Sequence, residues 1–222
     1  MLFVIDFDGT LACEDTVDAM LEKFAPPAWK IVESEWLEER ITAVECMGQQ
    51  IRMVNADTVT LERFFRGIEL DASFLPFYRH VSRFATVAIV SDGLDHAIHI
   101  ATRNAGMPRL PVYANQLIFT PRGLDIAFPH ITPQCETGQG VCKCAVAREV
   151  SGTSGGPVIL VGDGKSDACL AGKADVVFAK SRLLSHCLAS GIDHVPFRTF
   201  ADVLASVKTW QVNPPQKSIS IA

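Results

Sequence analysis

Three short polar turns each stand directly behind an apolar run. Asp6-Phe7-Asp8-Gly9-Thr10 follows Leu2-Phe3-Val4-Ile5, Ser91-Asp92-Gly93 follows Thr86-Val87-Ala88-Ile89-Val90, and Gly162-Asp163-Gly164-Lys165-Ser166-Asp167 follows Val158-Ile159-Leu160-Val161. Asp6, Asp8, Asp163 and Asp167 brought together would repel one another unless a cation neutralised them. An all-oxygen donor set suits Mg²⁺, which keeps several waters beside a few carboxylates. Asp6, first out of its run, is placed to act as a nucleophile, and Asp8, two residues on, to hold a proton over the same point. Gly9 lets the backbone approach a bound anion closely. One Asp-x-Asp alone reads equally well as a cap at a strand-to-helix loop, but three such turns behind three separate runs are not explained by capping.

The apolar runs, partly β-branched, predict buried parallel strands, and Val176-Val177-Phe178-Ala179 predicts one more. Strands alternating with helices predict an α/β fold, a Rossmann-like doubly wound parallel sheet whose polar strand ends gather at one edge, where such sheets bind ligands. Between the first two turns the spacing becomes helical: Val17, Met20, Leu21 and Phe24, then Trp29, Val32 and Trp36, then Ile41, Val44, Met47, Ile51 and Val54. Pro26-Pro27 separates the first two helices, and a fourth stripe, Leu61, Phe64, Phe65 and Ile68, follows the capping residues Asp57 and Thr58. The expected organisation is a catalytic core of residues 1–11 and 77–212, an inserted helical-bundle cap over 12–76, and a loose tail at 213–222. The helix after Ser91-Asp92-Gly93 is expected to stop at Gly106, and 117–120 with 124–127 to form a small β-hairpin around Pro121-Arg122-Gly123.

Composition narrows the function classes. The 222 residues hold 20 Lys and Arg against 25 Asp and Glu, a net charge of −5, so there is no broad cationic field and nucleic acid is not an expected partner. A small anionic substrate would need locally placed donors. Mean hydropathy is +0.21, yet no stretch approaches the roughly 18 apolar residues that cross a bilayer, so no membrane is expected either. Met1-Leu2-Phe3-Val4-Ile5-Asp6 lacks the basic and uninterrupted apolar regions of a signal peptide, which predicts a cytoplasmic protein. The seven cysteines, at 13, 46, 135, 142, 144, 169 and 187, are read as reduced thiols. No feature specifies an oligomer.

The three turns, with a lysine between the second and third, resemble the four sequence motifs of the haloacid dehalogenase (HAD) superfamily, in order and over residues 6–167. The resemblance implies phosphate-ester hydrolysis. Asp6 would attack phosphorus to give an aspartyl-phosphate, and Asp8 would protonate the leaving oxygen and then activate the hydrolytic water. Ser91, Asp92, the backbone at Gly9 and Gly93, and the motif lysine would face the phosphate and substrate. Mg²⁺ would lie on the Asp6 carboxylate, the Asp8 carbonyl and the Asp163 carboxylate, with Asp167 in support. Asp8 points to phosphate esters, since a dehalogenase has no alkoxide to protonate. Lys143, in Cys142-Lys143-Cys144, stands where the motif lysine is required, whereas Lys165 lies inside the fourth motif.

The helical insertion is similar to the cap of the phosphoserine phosphatase-like branch, which closes over the site and reads the leaving group. That branch carries an acidic residue nine positions after the nucleophile, matched by Asp15 as a substrate-binding residue, and a cap arginine whose position falls on Ile51, with Arg52 one step off. Phe24-Ala25-Pro26-Pro27-Ala28-Trp29, Phe128-Pro129-His130, Phe178-Ala179-Lys180-Ser181-Arg182-Leu183-Leu184 and His194-Val195-Pro196-Phe197 resemble a methionine-salvage subfamily of the branch. That subfamily has Ser-Gly-Gly where this chain has Ser91-Asp92-Gly93. The expected partner is a small phosphorylated metabolite, with an enol phosphate of methionine salvage first and phosphoserine or another small ester second. A phosphometabolite-binding protein without turnover is the reading from another class. Cys135, Cys142 and Cys144 lack the spacing of a zinc site. His96 and His99 are read as surface or helix-packing residues, and Trp29 and Trp36 as bundle packing, with one of the two facing the substrate as the alternative.

Overall fold

The structure, a computed structural model, describes residues 1–135, 138–152 and 155–210; the tail expected at 213–222 lies outside them. In chain order the strands are β1 (Leu2–Ile5), β2 (Thr86–Leu94), β3 (Val112–Thr120), β4 (Gly123–Ala127), β5 (Val158–Gly162), β6 (Val176–Ala179) and β7 (Val195–Pro196). Helices α1 (Thr16–Phe24), α2 (Trp29–Leu37), α3 (Ala43–Met53), α4 (Thr58–Arg66) and α5 (Phe74–Val81) lie between β1 and β2. Helix α6 (Asp95–Asn104) follows β2, and α7 (Lys143–Ser151) precedes β5. Helix α8 (Ala168–Ala171) joins β5 to β6, and α9 (Ser181–Ser190) and α10 (Phe200–Thr209) complete the set.

Among the described residues the strands form one seven-stranded sheet in the order β4-β3-β2-β1-β5-β6-β7, parallel except for the β3–β4 pair. β1 is central because all four of its residues are apolar and buried, as a strand covered on both faces requires. Successive side chains alternate faces: Phe3 and Ile5 enter the larger core cluster with Phe77, Phe178 and Phe200, while Leu2 and Val4 enter the smaller one with Val146, Leu170 and Leu183. Ile5 is level with Ile89 on one side and Val161 on the other, so the chain leaves three neighbouring strands at nearly one height. That register brings the three polar turns together.

Two stretches differ from the sequence expectation. β3 begins at Val112, five residues before the expected hairpin, because its first half pairs in parallel with β2 before its second half pairs with β4. β2 continues through Ser91-Asp92-Gly93 to Leu94 rather than ending at Val90. Its register with β3 jumps from Val90↔Tyr113 to Leu94↔Asn115, so three residues on β2 oppose one on β3. Such a bulge re-aims side chains and often borders a functional site.

The inserted helices carry the expected signals. The Asp57 carboxylate accepts from Thr60 N at 2.7 Å, and Thr42 and Glu45 cap α3 reciprocally. Helix α5, although it begins within the expected cap segment, packs on α10: the Phe74 and Phe77 rings lie 4.9 and 5.1 Å from that of Phe200, and Phe77 meets Phe3 edge-on at 5.4 Å. No helix among the described residues is long and apolar enough to cross a membrane. Truncating fully buried Phe77 removes the ring that joins β1, α5 and α10. Phe77→Ala should lower the free energy of unfolding by about 3–5 kcal/mol; a loss below about 1 kcal/mol in urea denaturation would show that the ring does not anchor this cluster.

Candidate active site

A cavity of ≈ 510 Å³ opens at the carboxyl ends of β1, β2 and β5. Asp6, Asp8, Gly9, Ser91, Asp92, Gly93 and Asp163 border it from the sheet, and Asp15, Asp18, Glu33, Trp36, Cys46, Met47 and Gln50 from α1–α3 and the loop before them. All of the expected site residues except Lys143 and Asp167 reach the cavity wall, and these two are buried beneath it.

The Lys143 ammonium, 3% exposed, sits 2.7 Å from Asp6 Oδ1 and 2.5 Å from Asp167 Oδ1. Burial alone would lower its pKa, but the Asp167 and Asp6 carboxylates outweigh burial and hold it above the ordinary lysine value. Asp6 Oδ1 also accepts from Phe7 N at 2.9 Å, and Asp167 Oδ2 accepts from the backbone N–H groups of Asp163 and Gly164 at 3.1 and 3.0 Å. Asp167 therefore fixes both the lysine and the fourth motif's loop. Lys165 stands apart, its ammonium 5.4 Å from the centre of the Trp36 ring, so it joins that loop to α2.

Asp8 occupies a different environment. Its Oδ1 accepts from Thr16 N and Thr16 Oγ1 at 2.8 and 2.6 Å, at the start of α1, and Ser91 Oγ donates to Oδ2 at 3.3 Å. Burial, with the Asp15 carboxylate adding to it, raises the Asp8 pKa to about 7 against those hydrogen bonds. Gly93 is required here by close approach, since a Cβ on it would meet Asp8 Oδ2 and Ser91 Oγ. Gly9 adopts φ +66° in the turn between β1 and α1. Asp15 borders the cavity while its Oδ1 caps α1, accepting from Val17 N and Asp18 N.

Asp6, Asp163 and Asp167 each offer an oxygen within 4.8 Å of the others. Burial raises the Asp6 pKa well above the carboxylate range, as Asp167 does also, and burial and then Asp167 raise that of Asp163, which accepts from Thr10 Oγ1 at 3.0 Å. One ammonium against this group of carboxylates leaves the floor short of positive charge. The donor set, all oxygen and held on short turns, fits a hard divalent cation.

Other residues fall outside the site. Ile51 is fully buried, and the Arg52 guanidinium pairs with Asp125 on β4 at 2.9 Å, so neither borders the cavity. Arg182, on α9, does border it and was not singled out from the sequence; the one hint was its place in a local run shared with the methionine-salvage subfamily. Trp29 is buried in the bundle, whereas Trp36 faces the cavity. His96 packs against Phe119 and Phe65 at 5.1 and 6.2 Å. Cys144 Sγ lies 3.0 Å from Cys169 Sγ between α7 and α8.

Comparison with known proteins agrees with the fold. No family model matches the chain. A solved structure described as a phospho-aspartyl intermediate analogue of phosphoserine phosphatase superposes with a TM-score of 0.69, at 18% identity, covering 92% of this chain and 97% of its own. A HAD family hydrolase from Salmonella enterica does so at 0.71, with 16% identity over 91% and 69%. The fold class is thus the one these HAD structures share. Within it, a 2-hydroxy-3-keto-5-methylthiopentenyl-1-phosphate phosphatase from Exiguobacterium sp. is 32% identical over 212 residues, spanning 92% of this chain and 96% of that one. The chain belongs to this family of phosphatases.

The buried ion pair makes a direct prediction. Lys143→Met leaves Asp6 and Asp167 facing each other without a counter-charge and should cost about 3–5 kcal/mol of stability at neutral pH without divalent cation. The deficit should shrink as pH falls, because the Asp6 carboxyl, already raised, binds a proton more tightly folded than unfolded. Urea midpoints across pH measure both; a variant as stable as wild type at pH 7.5 would contradict the ion pair's role.

Proposed function

We propose that the protein is a Mg²⁺-dependent hydrolase of a small phosphate ester in which Asp6 is the nucleophile and the helices within 12–76 form a cap that reads the leaving group. The observation that carries this reading is the contrast between two carboxylates two residues apart. Burial raises the pKa of both, but Asp6 is ion-paired with Lys143, while Asp8 meets only the amide and hydroxyl groups of Thr16 and the Ser91 hydroxyl. Two carboxyls whose surroundings set them to opposite tasks are what acid-assisted displacement needs.

Both donors to Asp6 take Oδ1, which leaves Oδ2 to attack phosphorus. The P–O bond to the leaving group breaks as the Asp6–phosphorus bond forms, and Asp8 gives its proton to the departing oxygen. Asp8, now ionised, removes a proton from the water that hydrolyses the aspartyl-phosphate and so returns to its starting state. In this reading the Ser91 hydroxyl and the backbone N–H groups near Gly9 and Gly93 exchange their partners in the free protein, Asp8 Oδ2, the Glu14 carbonyl and Ser91 Oγ, for the equatorial oxygens, with the Lys143 charge beneath them. Asp6, Asp163 and the Asp8 carbonyl would hold the metal, with Asp167 supporting from below. Bound there, Mg²⁺ would offset the negative charge of the carboxylates and the phosphoryl group.

The first candidate substrate is the methionine-salvage enol phosphate for which the relatives are named. Beside the polar Asp15, Asp18, Glu33 and Gln50, the residues Val17, Trp36, Cys46 and Met47 give the cap side of the cavity an apolar, polarisable patch, which suits a thioether-bearing leaving group. The cap arginine of the phosphoserine branch has no counterpart on α3, since Ile51 is buried and Arg52 is paired outside the wall; the arginine that borders the cavity, Arg182, comes from α9. A cytosolic setting fits such a metabolite.

Hydrolysis should require Mg²⁺ and be abolished by chelation. Asp6→Asn should lower kcat on the order of 10³-fold or more, and the enol phosphate should exceed phosphoserine in kcat/KM. A wild type that turns over neither these esters nor an aryl phosphate with added Mg²⁺ would leave the binding-protein reading, and preference for phosphoserine would overturn the substrate assignment. Asp8 donates its proton only below its pKa, so kcat/KM for esters of poor leaving groups should fall as pH rises through about 7. Asp8→Asn should remove that limb of the profile; its survival would assign it to another group.

A further inference from the structure

The fifteen residues between β4 and α7, 128–142, deliver Lys143 to the site, and among those described no helix or strand holds them. Lys143 is the first residue of α7, and the N–H of the preceding Cys142, at the helix cap, donates to the His130 carbonyl within the same loop at 3.2 Å. The lysine's position under Asp6 therefore depends on what fixes the end of this loop. The Asp92 side chain meets it there. Asp92 Oδ1 accepts from Val141 N at 2.9 Å, and the carboxylate also accepts from the Gly140 N–H. Asn115, fully buried on β3, donates from Nδ2 to the Asp92 carbonyl at 2.6 Å, so the residue is held from both sides.

The packing at this point leaves no slack. A Cβ on Gly140 would come within 2.6 Å of both Asn115 Oδ1 and Phe128 Cδ1, so the backbone of the loop lies directly against the strand. Val141, 1% exposed, is buried in the smaller core cluster. Adjacent residues of β2 serve opposite sides at the bulge: the Ser91 hydroxyl meets Asp8, and the Asp92 carboxylate meets the loop.

From this geometry we infer that Asp92 is a positioning residue, not a phosphate ligand, and that it acts by clasping Gly140 and Val141 so that Lys143 stands correctly beneath Asp6. The inference rests on the hydrolase reading above only for its kinetic arm. Displacement of a catalytic group by about 1 Å can cost up to 10²-fold in rate, so Asp92→Ala should lower kcat about 10- to 100-fold while KM stays within about twofold. Asp92→Asn keeps an acceptor for the Val141 N–H and should recover most of the rate, to within about threefold of wild type.

The test uses the full chain with p-nitrophenyl phosphate and Mg²⁺, together with amide hydrogen exchange of segment 139–143. Faster exchange there in Asp92→Ala, near-normal exchange in Asp92→Asn, and a kcat-only loss rescued by Asn are the expected results. Loss of rate in Asp92→Asn equal to that in Asp92→Ala, or a rise in KM with kcat unchanged, would show that the carboxylate's charge acts on substrate and would overturn the clasp. Unchanged exchange in Asp92→Ala would overturn it also. Should Asp92→Ala not fold, Asn115→Ala, which removes the Nδ2 bonds to the Asp92 carbonyl and Oδ1 and the contact with Met47 Sδ but leaves the Val141 N–H on Asp92, must give the same kcat-only loss at smaller size, and a normal kcat would refute the inference. A wild type inactive on every ester would sink the hydrolase reading, and the exchange arm would still decide the clasp.

Discussion

One ammonium, that of Lys143, lies beneath the ends of β1 and β5 among carboxylates that would otherwise repel one another, and the architecture around it follows from that need. A charge this deeply buried is tolerable only when its partners are close and themselves held. Asp6 is held by the N–H of Phe7, and Asp167 by the N–H groups of Asp163 and Gly164. The three elements involved are not neighbours in sequence: Asp6 leaves the central strand, Asp167 ends the turn after β5, and Lys143 begins α7. A parallel sheet with level strand ends supplies the first two, and the crossover helix on the β5 side supplies the third.

The carboxylates are graded by what surrounds them. Asp167 is matched by donors on both oxygens, Asp6 by donors on one, and Asp8 by hydroxyl and amide groups alone. Desolvation acts on Asp6, Asp8 and Asp163 in the same direction, so their differences come from partners. Lys143 alone does not offset these carboxylates, so in a chain of net charge −5 an anion would be accommodated here with a divalent cation bound among them.

The sequence made the three acidic turns legible for a physical reason: a carboxylate within two residues of the end of an apolar run has few structural uses, and three such turns at level strand ends of one sheet meet. The strands β1, β5 and β6 and the helical stripes of α1–α4 were readable because burial on one or two faces writes a period into the residues. The parallel half of β3 was not, since Tyr113, Asn115 and Gln116 break any apolar run and the strand is defined by its pairing with β2. The bulge at Ser91-Asp92-Gly93 was equally hidden, because it exists only as a mismatch between two strands. The division of labour between Ser91 and Asp92, and the place of Arg182 in the wall, depend on three-dimensional neighbours that no local spacing encodes.

Arg52 is held away from the cavity by a partner on the sheet. It lies next to the position where a cap arginine would read a carboxylate, yet its guanidinium is paired with Asp125 on the hairpin. The pair is exposed, 58% and 41% for the two side chains, so it adds only about 0–1 kcal/mol, too little to be its main consequence. Its effect is geometric: it turns the cation toward β4, while the preceding residue on the helix, Ile51, about 100° round the axis, enters the core. The same helix presents Cys46, Met47 and Gln50 to the cavity, and Met47 Sδ lies 3.5 Å from Asn115 Nδ2. Helix α3 is therefore referenced to the sheet at two points, the hairpin and Asn115, and what it offers the leaving group is a soft wall with no arginine from this helix.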